Sequence, residues 1–363
     1  MRGFTLDSII VNGKEIRFSN GMNIVMGSNG SGKTTFFNII MYILGLKDIK
    51  RTIEYVQFDE VVANCTFGNS QVSITRYKDD VLYFSGDIKE EATYGSRKLF
   101  SIYNSLLSPS FDFEEDIYAG HEILRSSFYS ENLLSSNTIS AQTYKKILGI
   151  NIEYLKTYKK QIIFFKDNLR MEQYAHDTLK TYINNIEREA EGIPNREAFS
   201  RVVKNQYLNM YDKLFENRKF LDEAMEMYEK MKKYQESIFH IRNEIIQSHI
   251  SENLYKLGIT REEIRTIPSG GNKLIEKFLP VIARSKRYPN YNFFNTSGIL
   301  FADSPMSKLS ENTANLMRKI LSVECENGQL QYFEFTHHTS ELPNSSNVIQ
   351  LHSKEAFRWL REN

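Results

Sequence analysis

The chain opens with short apolar runs of strand length, each broken by turn residues. Leu6 to Val11 is followed by Asn12-Gly13, and Glu15 to Phe18 by Ser19-Asn20-Gly21, which predicts two strands. Met22 to Met26 is a third, mostly apolar strand that leads straight into a Gly-rich loop. Thr34 to Leu44 then carries Phe36, Phe37, Ile39, Ile40 and Ile43 at helical density, with Gly45 as its stop. Tyr55 to Phe67, Ser70 to Arg76 and Val81 to Phe84 read as a β-meander.

From about residue 150 the period changes. Leu155, Tyr158, Ile162, Phe165 and Leu169 alternate spacings of three and four, and so do Ala224, Met227, Met231, Tyr234, Ile238, Ile241 and Ile245. Such spacing predicts a coiled-coil seam. Gly192-Ile193-Pro194-Asn195 is the strongest breaker between the two runs, so the arms are expected to return as a short antiparallel hairpin. A compact helical subdomain with an ordinary core stripe is the plainer alternative.

Composition narrows the classes. The 363 residues are 41% hydrophobic and 25% charged, an ordinary globular balance that excludes wholesale disorder. The 46 basic residues nearly cancel the 45 acidic ones, so any nucleic-acid contact must be a local patch. With only Cys65 and Cys325, a disulfide framework or a four-Cys zinc site is excluded. No signal-peptide pattern or apolar run of membrane-spanning length is present. A cytoplasmic protein without a membrane partner is expected.

Gly27-Ser28-Asn29-Gly30-Ser31-Gly32-Lys33-Thr34 fits G-x-x-x-x-G-K-[ST] between a predicted strand and a predicted helix. Glycines at this spacing let backbone N–H groups curl around phosphate oxygens, and the helix N-terminus favours negative charge. Asn29, Gly30, Ser31, Gly32, Lys33, Thr34 and Thr35 are the expected nucleotide contacts. Lys33 would reach the β- and γ-phosphates, and the Thr34 hydroxyl would ligate Mg²⁺.

The stretch FSNGMNIVMGSNGSGKTTFFNII resembles the opening of ABC-type ATPases in the SMC, RecF and RecN group. The resemblance implies ATP and Mg²⁺ as ligands. It also implies a signature loop, a Walker B strand and a switch histidine in the C-terminal half, in that order. Ser269-Gly270-Gly271 resembles the signature; alone it would read as an ordinary loop. Leu274, Ile275, Phe278 and Leu279 follow on one helix face, and Pro280 is expected to kink or end that helix. Gly298 to Asp303 reads as a buried parallel strand ending in an acid, and Asp303 would hold Mg²⁺. Ser304 stands where the group has a Glu that polarises water, and serine is a poor base, so slow hydrolysis is expected. Leu309-Ser310 likewise replaces the usual acid of the following loop. Gln331 to Phe335 is a further strand, followed by Thr336-His337-His338 and a strand at Val348 to Leu351. His337 matches the switch histidine better than His338; a surface His pair is the plain alternative. The group's loop glutamine stays open between Gln142, which sits too close to the arm, and Phe128 to Asn132, which has the right spacing but no glutamine.

Residues 261–300 carry seven basic against three acidic residues, and Arg284, Lys286 and Arg287 adjoin Tyr288, Tyr291, Phe293 and Phe294. This is either a DNA-gripping patch or a solvated loop. The expected fold class is α/β: an ABC-type ATPase head assembled from both termini, with an inserted helical hairpin. Its expected divisions are a lobe at 1–150, the insertion at 151–260 and a second lobe at 261–363. The resemblance implies an ATP-dependent homodimer or higher homo-oligomer, action on DNA in repair or antiviral defence, and a separate nuclease-type effector. A non-hydrolysing scaffold or sensor subunit is the competing class.

Overall fold

The computed structural model describes residues 3–47, 59–77, 80–107, 117–130, 139–150, 153–189, 196–260, 263, 270–337 and 342–351. They fall into two compact units, one of Met1–Ile150 with Phe239–Asn363 and one of Asn151–Ile238. None of the described helices is long and apolar enough to cross a membrane.

The first unit contains two sheets. In β1 (Phe4–Val11) buried positions alternate largely with half-buried ones. Asn12 and Gly13 both take positive φ, 47° and 79°, the conformation that a two-residue hairpin turn into β2 (Lys14–Arg17) needs. The expected meander is present as β4 (Glu60–Phe67), β5 (Ser70–Tyr77) and β6 (Val81–Gly86), extended by β7 (Glu90–Thr93). This antiparallel sheet runs β2-β1-β4-β5-β6-β7. The second sheet is parallel at every pairing. Its order is β11 (Asn347–Gln350), β3 (Met22–Met26), β10 (Gln331–Thr336), β9 (Ile299–Asp303) and β8 (Phe128–Ser130). Strands β3, β9 and β10 are buried along their whole length, which is why they read as continuous apolar runs.

Helix α1 (Lys33–Ile43) packs against strands of both sheets. Its Phe37 ring meets Phe335 at 5.5 Å and Phe128 at 5.6 Å, both edge-on. Phe128, Phe301 and Phe333 then stack across β8, β9 and β10 at 4.5 and 4.6 Å. Gln331, buried on the parallel sheet, accepts from Leu6 N at 2.8 Å and donates to Leu6 O at 2.9 Å, tying that sheet to the other. Among the described residues the N-terminal lobe also holds three short helices, α2 (Arg97–Leu106), α3 (Ala119–Arg125) and α4 (Ala141–Ile147).

Two long helices, α5 (Glu153–Glu189) and α6 (Arg196–Lys256), span the middle of the chain. Within the second unit they run antiparallel: Phe165 meets Phe220, Asn217 donates to Glu172 at 2.8 Å, and His176 stacks on Tyr207 at 4.4 Å. The breaker at 192–195 lies outside the described residues. The expected seam is half right. Ala224, Met231, Ile238 and Ile245 are at least partly buried, but Met227, Tyr234 and Ile241 are 50%, 68% and 62% exposed. The seam instead takes Leu221, Tyr228 and Gln235. Both columns satisfy three-four spacing, so apolar character alone points to the wrong one.

Pro280 does not end helix α7 (Gly270–Ser285), which continues through it to Ser285. Pro280 removes one backbone hydrogen bond, yet Phe278, Leu279, Val281, Ile282 and Ala283 are all at most 2% exposed, and that burial outweighs the loss. The basic-aromatic stretch after it is neither a DNA patch nor a solvated loop. Lys286 is buried and bonds Glu324 of α8 (Glu311–Glu326) at 2.9 Å; His249 of α6 meets the other carboxylate oxygen at 2.9 Å. Arg287 is half-buried and donates to Phe4 O at 3.4 Å. Burial pushes the Arg284 guanidinium down to about 10. Phe293 receives the Arg242 guanidinium over its ring at 4.2 Å, while Arg242 also donates to Leu148 O at 2.6 Å and Gly149 O at 2.8 Å. The patch is thus a clasp that holds α4, the end of α6 and α8 together.

Burial acts most strongly on Glu324, raising its pKa, but the hydrogen bonds and charges of His249 and Lys286 together overcome it and hold the carboxyl near 2 instead of 4.5. Burial also draws the Lys286 pKa down against the pull of Glu324. A depressed carboxyl pKa gives stability that is present above pH 4.5 and lost as pH falls toward 2. Lys286→Met should lower the unfolding free energy by about 3 kcal/mol at neutral pH and should weaken the acid dependence in that window. Denaturant unfolding at a series of pH values checks both. An unchanged midpoint would mean that the side chain is on the surface.

Candidate functional site

The parallel sheet brings the chemistry to one edge. Met26 pairs with Thr336, Phe335 with Asp303, and Asp303 with Ser130. Gly27, His337 and Ser304 therefore all leave the sheet at the same carboxyl end, where open α/β sheets bind ligands and where β8 also ends at Ser130. His337 is exposed directly beyond β10, and His338 lies outside the described residues.

The loop from Gly27 to Gly32 is shaped by its glycines. Gly30 and Gly32 take φ of 81° and 91°, a region that side chains rarely adopt. A Cβ on Gly27 would collide with the Ser31 hydroxyl. Ser28, Asn29 and Gly30 are exposed, whereas Ser31 is 1% exposed and its hydroxyl has no partner among the described residues. Gly32 caps α1 without a side-chain bond, and no acid occupies the helix's first turn, so the N–H groups there are open to an anion. Lys33 curls back over the loop, donating to Gly27 O at 2.7 Å and Ser28 O at 2.9 Å. Thr35 is half-buried on the first turn of α1.

Across the edge, the Thr34 hydroxyl donates to Asp303 Oδ2 at 3.1 Å. Asp303 is 2% exposed, and burial raises its carboxyl pKa against the opposing hydroxyls of Thr34 and Ser304 and the Lys33 charge. Burial correspondingly lowers the Lys33 ammonium, with Asp303 acting in the other direction. An orphaned buried hydroxyl, a glycine cradle, an open helix start and a hydroxyl–carboxylate pair together fit a phosphate chain with a divalent cation.

Ser304 has a backbone that its sequence does not announce. It sits at φ 53°, left-handed, with its N–H donating to Phe335 O at 2.9 Å and its hydroxyl to Asp303 Oδ1 at 3.4 Å. For an L-residue that conformation costs on the order of 1–2 kcal/mol. Ser310, in the loop that lacks the usual acid, caps α8 by accepting from Thr313 N. Of the signature residues, Ser269 lies outside the described residues, and Gly270 and Gly271 open α7. Gln142 is exposed on the first turn of α4, and 131–138, which continue the Phe128 to Asn132 candidate, lie outside the described residues.

No curated protein is similar to the chain in sequence. A Smc head domain with an extended coiled coil from Pyrococcus furiosus, bound to the C-terminal domain of ScpA, superposes with a TM-score of 0.61 at 14% identity, over 92% of this chain and 90% of that one. A Smc head bound to the C-terminal winged-helix domain of ScpA gives 0.50 at 14% identity, over 95% and 93%. At such identities the likeness is one of fold. The profile of the AAA domain family, AAA_23, matches residues 2–254, well over half of the chain. With a P-loop strand and helix, a buried parallel sheet and an inserted helical hairpin, the chain belongs to the AAA domain family and has the fold of an SMC-like, ABC-type head.

Proposed function

We propose that this head binds ATP with Mg²⁺ and pairs with a second copy on doing so, with slow hydrolysis. The observation that carries the reading is the 3.1 Å approach of Thr34 to Asp303, a hydroxyl beside a carboxylate, which is the kind of donor pair a nucleotide-bound cation would take. Backbone N–H groups of the loop and α1 would cradle the phosphates, and Lys33 would turn from its loop carbonyls to the β- and γ-oxygens. Gly270 and Gly271, which open α7, and Ser269 before them in the sequence would face the nucleotide of the opposite copy. His337 would reach the γ-phosphate from the end of β10. A divalent cation held by Thr34 and Asp303 would neutralise phosphate charge.

The chain's own base is the weak point. Ser304 is no proton acceptor at neutral pH, and its left-handed backbone and bond to Asp303 fit a residue that fixes the carboxylate more than one that attacks water. This supports ATP-driven pairing with slow turnover, and makes a scaffold or sensor subunit the second reading. Action on DNA in repair or antiviral defence and a separate nuclease-type effector rest on the resemblance to the SMC, RecF and RecN group, and a cytoplasmic setting on the scarcity of cysteine. The Smc heads bound to ScpA domains support a partner chain in kind. Arg284, Lys286 and Arg287 have no part in a DNA contact here.

Lys33→Ala should weaken ATP binding by at least about tenfold, because it removes the charge aimed at the phosphates; unchanged affinity by calorimetry would defeat the assignment. Ser304→Glu should raise phosphate release above a slow wild-type rate, and Asp303→Ala should abolish the Mg²⁺-dependent part. A wild type that turns over briskly, and gains nothing from Ser304→Glu, would show a competent base elsewhere.

A further inference from the structure

The seam on α6 leaves an apolar column that no described residue covers. Phe220, Met227 and Tyr234 recur every seven residues and are 55%, 50% and 68% exposed. Phe220 lies edge-on to Phe165, which is itself 41% exposed, and Phe164 beside it is 61% exposed. Ala224, Met231 and Ile238, all half-buried, fall between them on the neighbouring column. Together the two columns make a 4-3-4-3-4 stripe of six apolar residues from Phe220 to Ile238, about 28 Å long at ~1.5 Å per residue. One edge of that stripe is used inside the hairpin and the other faces water. Single exposed apolar residues need no explanation, but a heptad column of three large ones is the pattern that a second helix covers.

The charges beside the stripe indicate which helix. Asp222, Glu223, Glu226 and Glu229 form an acidic block, and Lys230, Lys232 and Lys233 follow at once as a basic one. A helix divided in this way is complementary to itself when reversed. With a two-fold axis at Met227, Phe220 meets Tyr234 of the second copy, and Glu223 comes within one residue, about 1.5 Å, of level with Lys230 of the second copy on both sides of the axis. A parallel arrangement would oppose acid with acid and base with base. In the single chain these groups are held only loosely: Lys230 bonds Glu226 one turn away at 2.7 Å with both side chains 67% exposed, a solvated pair of little worth.

We propose that the hairpin docks on the hairpin of a second copy of this chain through this stripe, with the two α6 helices antiparallel and Met227 on the axis. The association needs no nucleotide and is separate from any pairing of the heads. A stripe of this length makes an interface at the small end of those that form specific complexes, so the dimer is reversible and concentration-dependent.

The test uses the full chain without nucleotide. Phe220→Cys and Tyr234→Cys chains, carrying tags of different mass, are oxidised mildly alone and as a mixture; the native Cys65 and Cys325 are both buried. The mixed disulfide should dominate in the mixture, with little product from either chain alone. Self-linking of Phe220→Cys as the main product, or no disulfide in any sample, would overturn the proposal. Sedimentation velocity reads the charges. Glu223→Lys and Lys230→Glu should each weaken self-association by about tenfold, and the chain carrying both should recover it. Failure of that double variant to recover, or wild type remaining monomeric at all concentrations, would also overturn the proposal. Each substitution is at an exposed position, so folding is not at risk. Lys33→Ala, run in parallel, should leave the self-association as it is, which separates this interface from the nucleotide-dependent reading.

Discussion

The 3.1 Å bond from the Thr34 hydroxyl to the Asp303 carboxylate joins residues 269 positions apart, and much of the first unit is needed to make it. Thr34 is fixed because β3 ends in a glycine loop that turns into α1. Asp303 is fixed because β9 is a buried parallel strand one place beyond β10, and β10 pairs directly with β3. Parallel strands need long crossovers, so chain from both termini must converge before the site exists. The hairpin is the insertion that such an arrangement tolerates.

Packing keeps that convergence rigid. The aromatic rings crossing β8, β9 and β10 leave little room for one strand to slide on another. Gln331 and the fully buried Arg318–Glu334 pair, 2.6 Å apart, add directional bonds in the same layer. A buried pair of that kind contributes more to uniqueness of register than to net stability. On the other side, the Lys286, His249 and Glu324 cluster fastens the end of α6 to α8, which follows directly on the Asp303 loop.

What the sequence disclosed depended on whether the signal was local. The β3–loop–α1 unit, the meander and the three C-terminal strands were legible to within a few residues, because turn glycines and continuous apolar runs report local backbone and full burial. Where two outcomes share one pattern, legibility ended. Met227 and Tyr234 satisfy heptad spacing as well as Tyr228 and Gln235 satisfy burial, and only tertiary packing decides between them. Arg284, Lys286 and Arg287 look like a surface patch because composition does not reveal Glu324 and Phe4 waiting inside. Pro280 looks like a stop because a rule about hydrogen bonds says nothing of the apolar surface gained beyond it. The left-handed Ser304 gave no signal, since serine carries no mark of positive φ.

The central claim is that Thr34 and Asp303 act together on one nucleotide-bound cation. A double-mutant cycle tests it directly: ATP affinity with and without Mg²⁺ for wild type, Thr34→Ala, Asp303→Asn and the double variant. The account predicts that each single change removes most of the Mg²⁺-dependent gain and that the double variant loses little more, with a coupling of about 1 kcal/mol or greater. Strictly additive losses, or a Mg²⁺ effect that survives in the double variant, would contradict it.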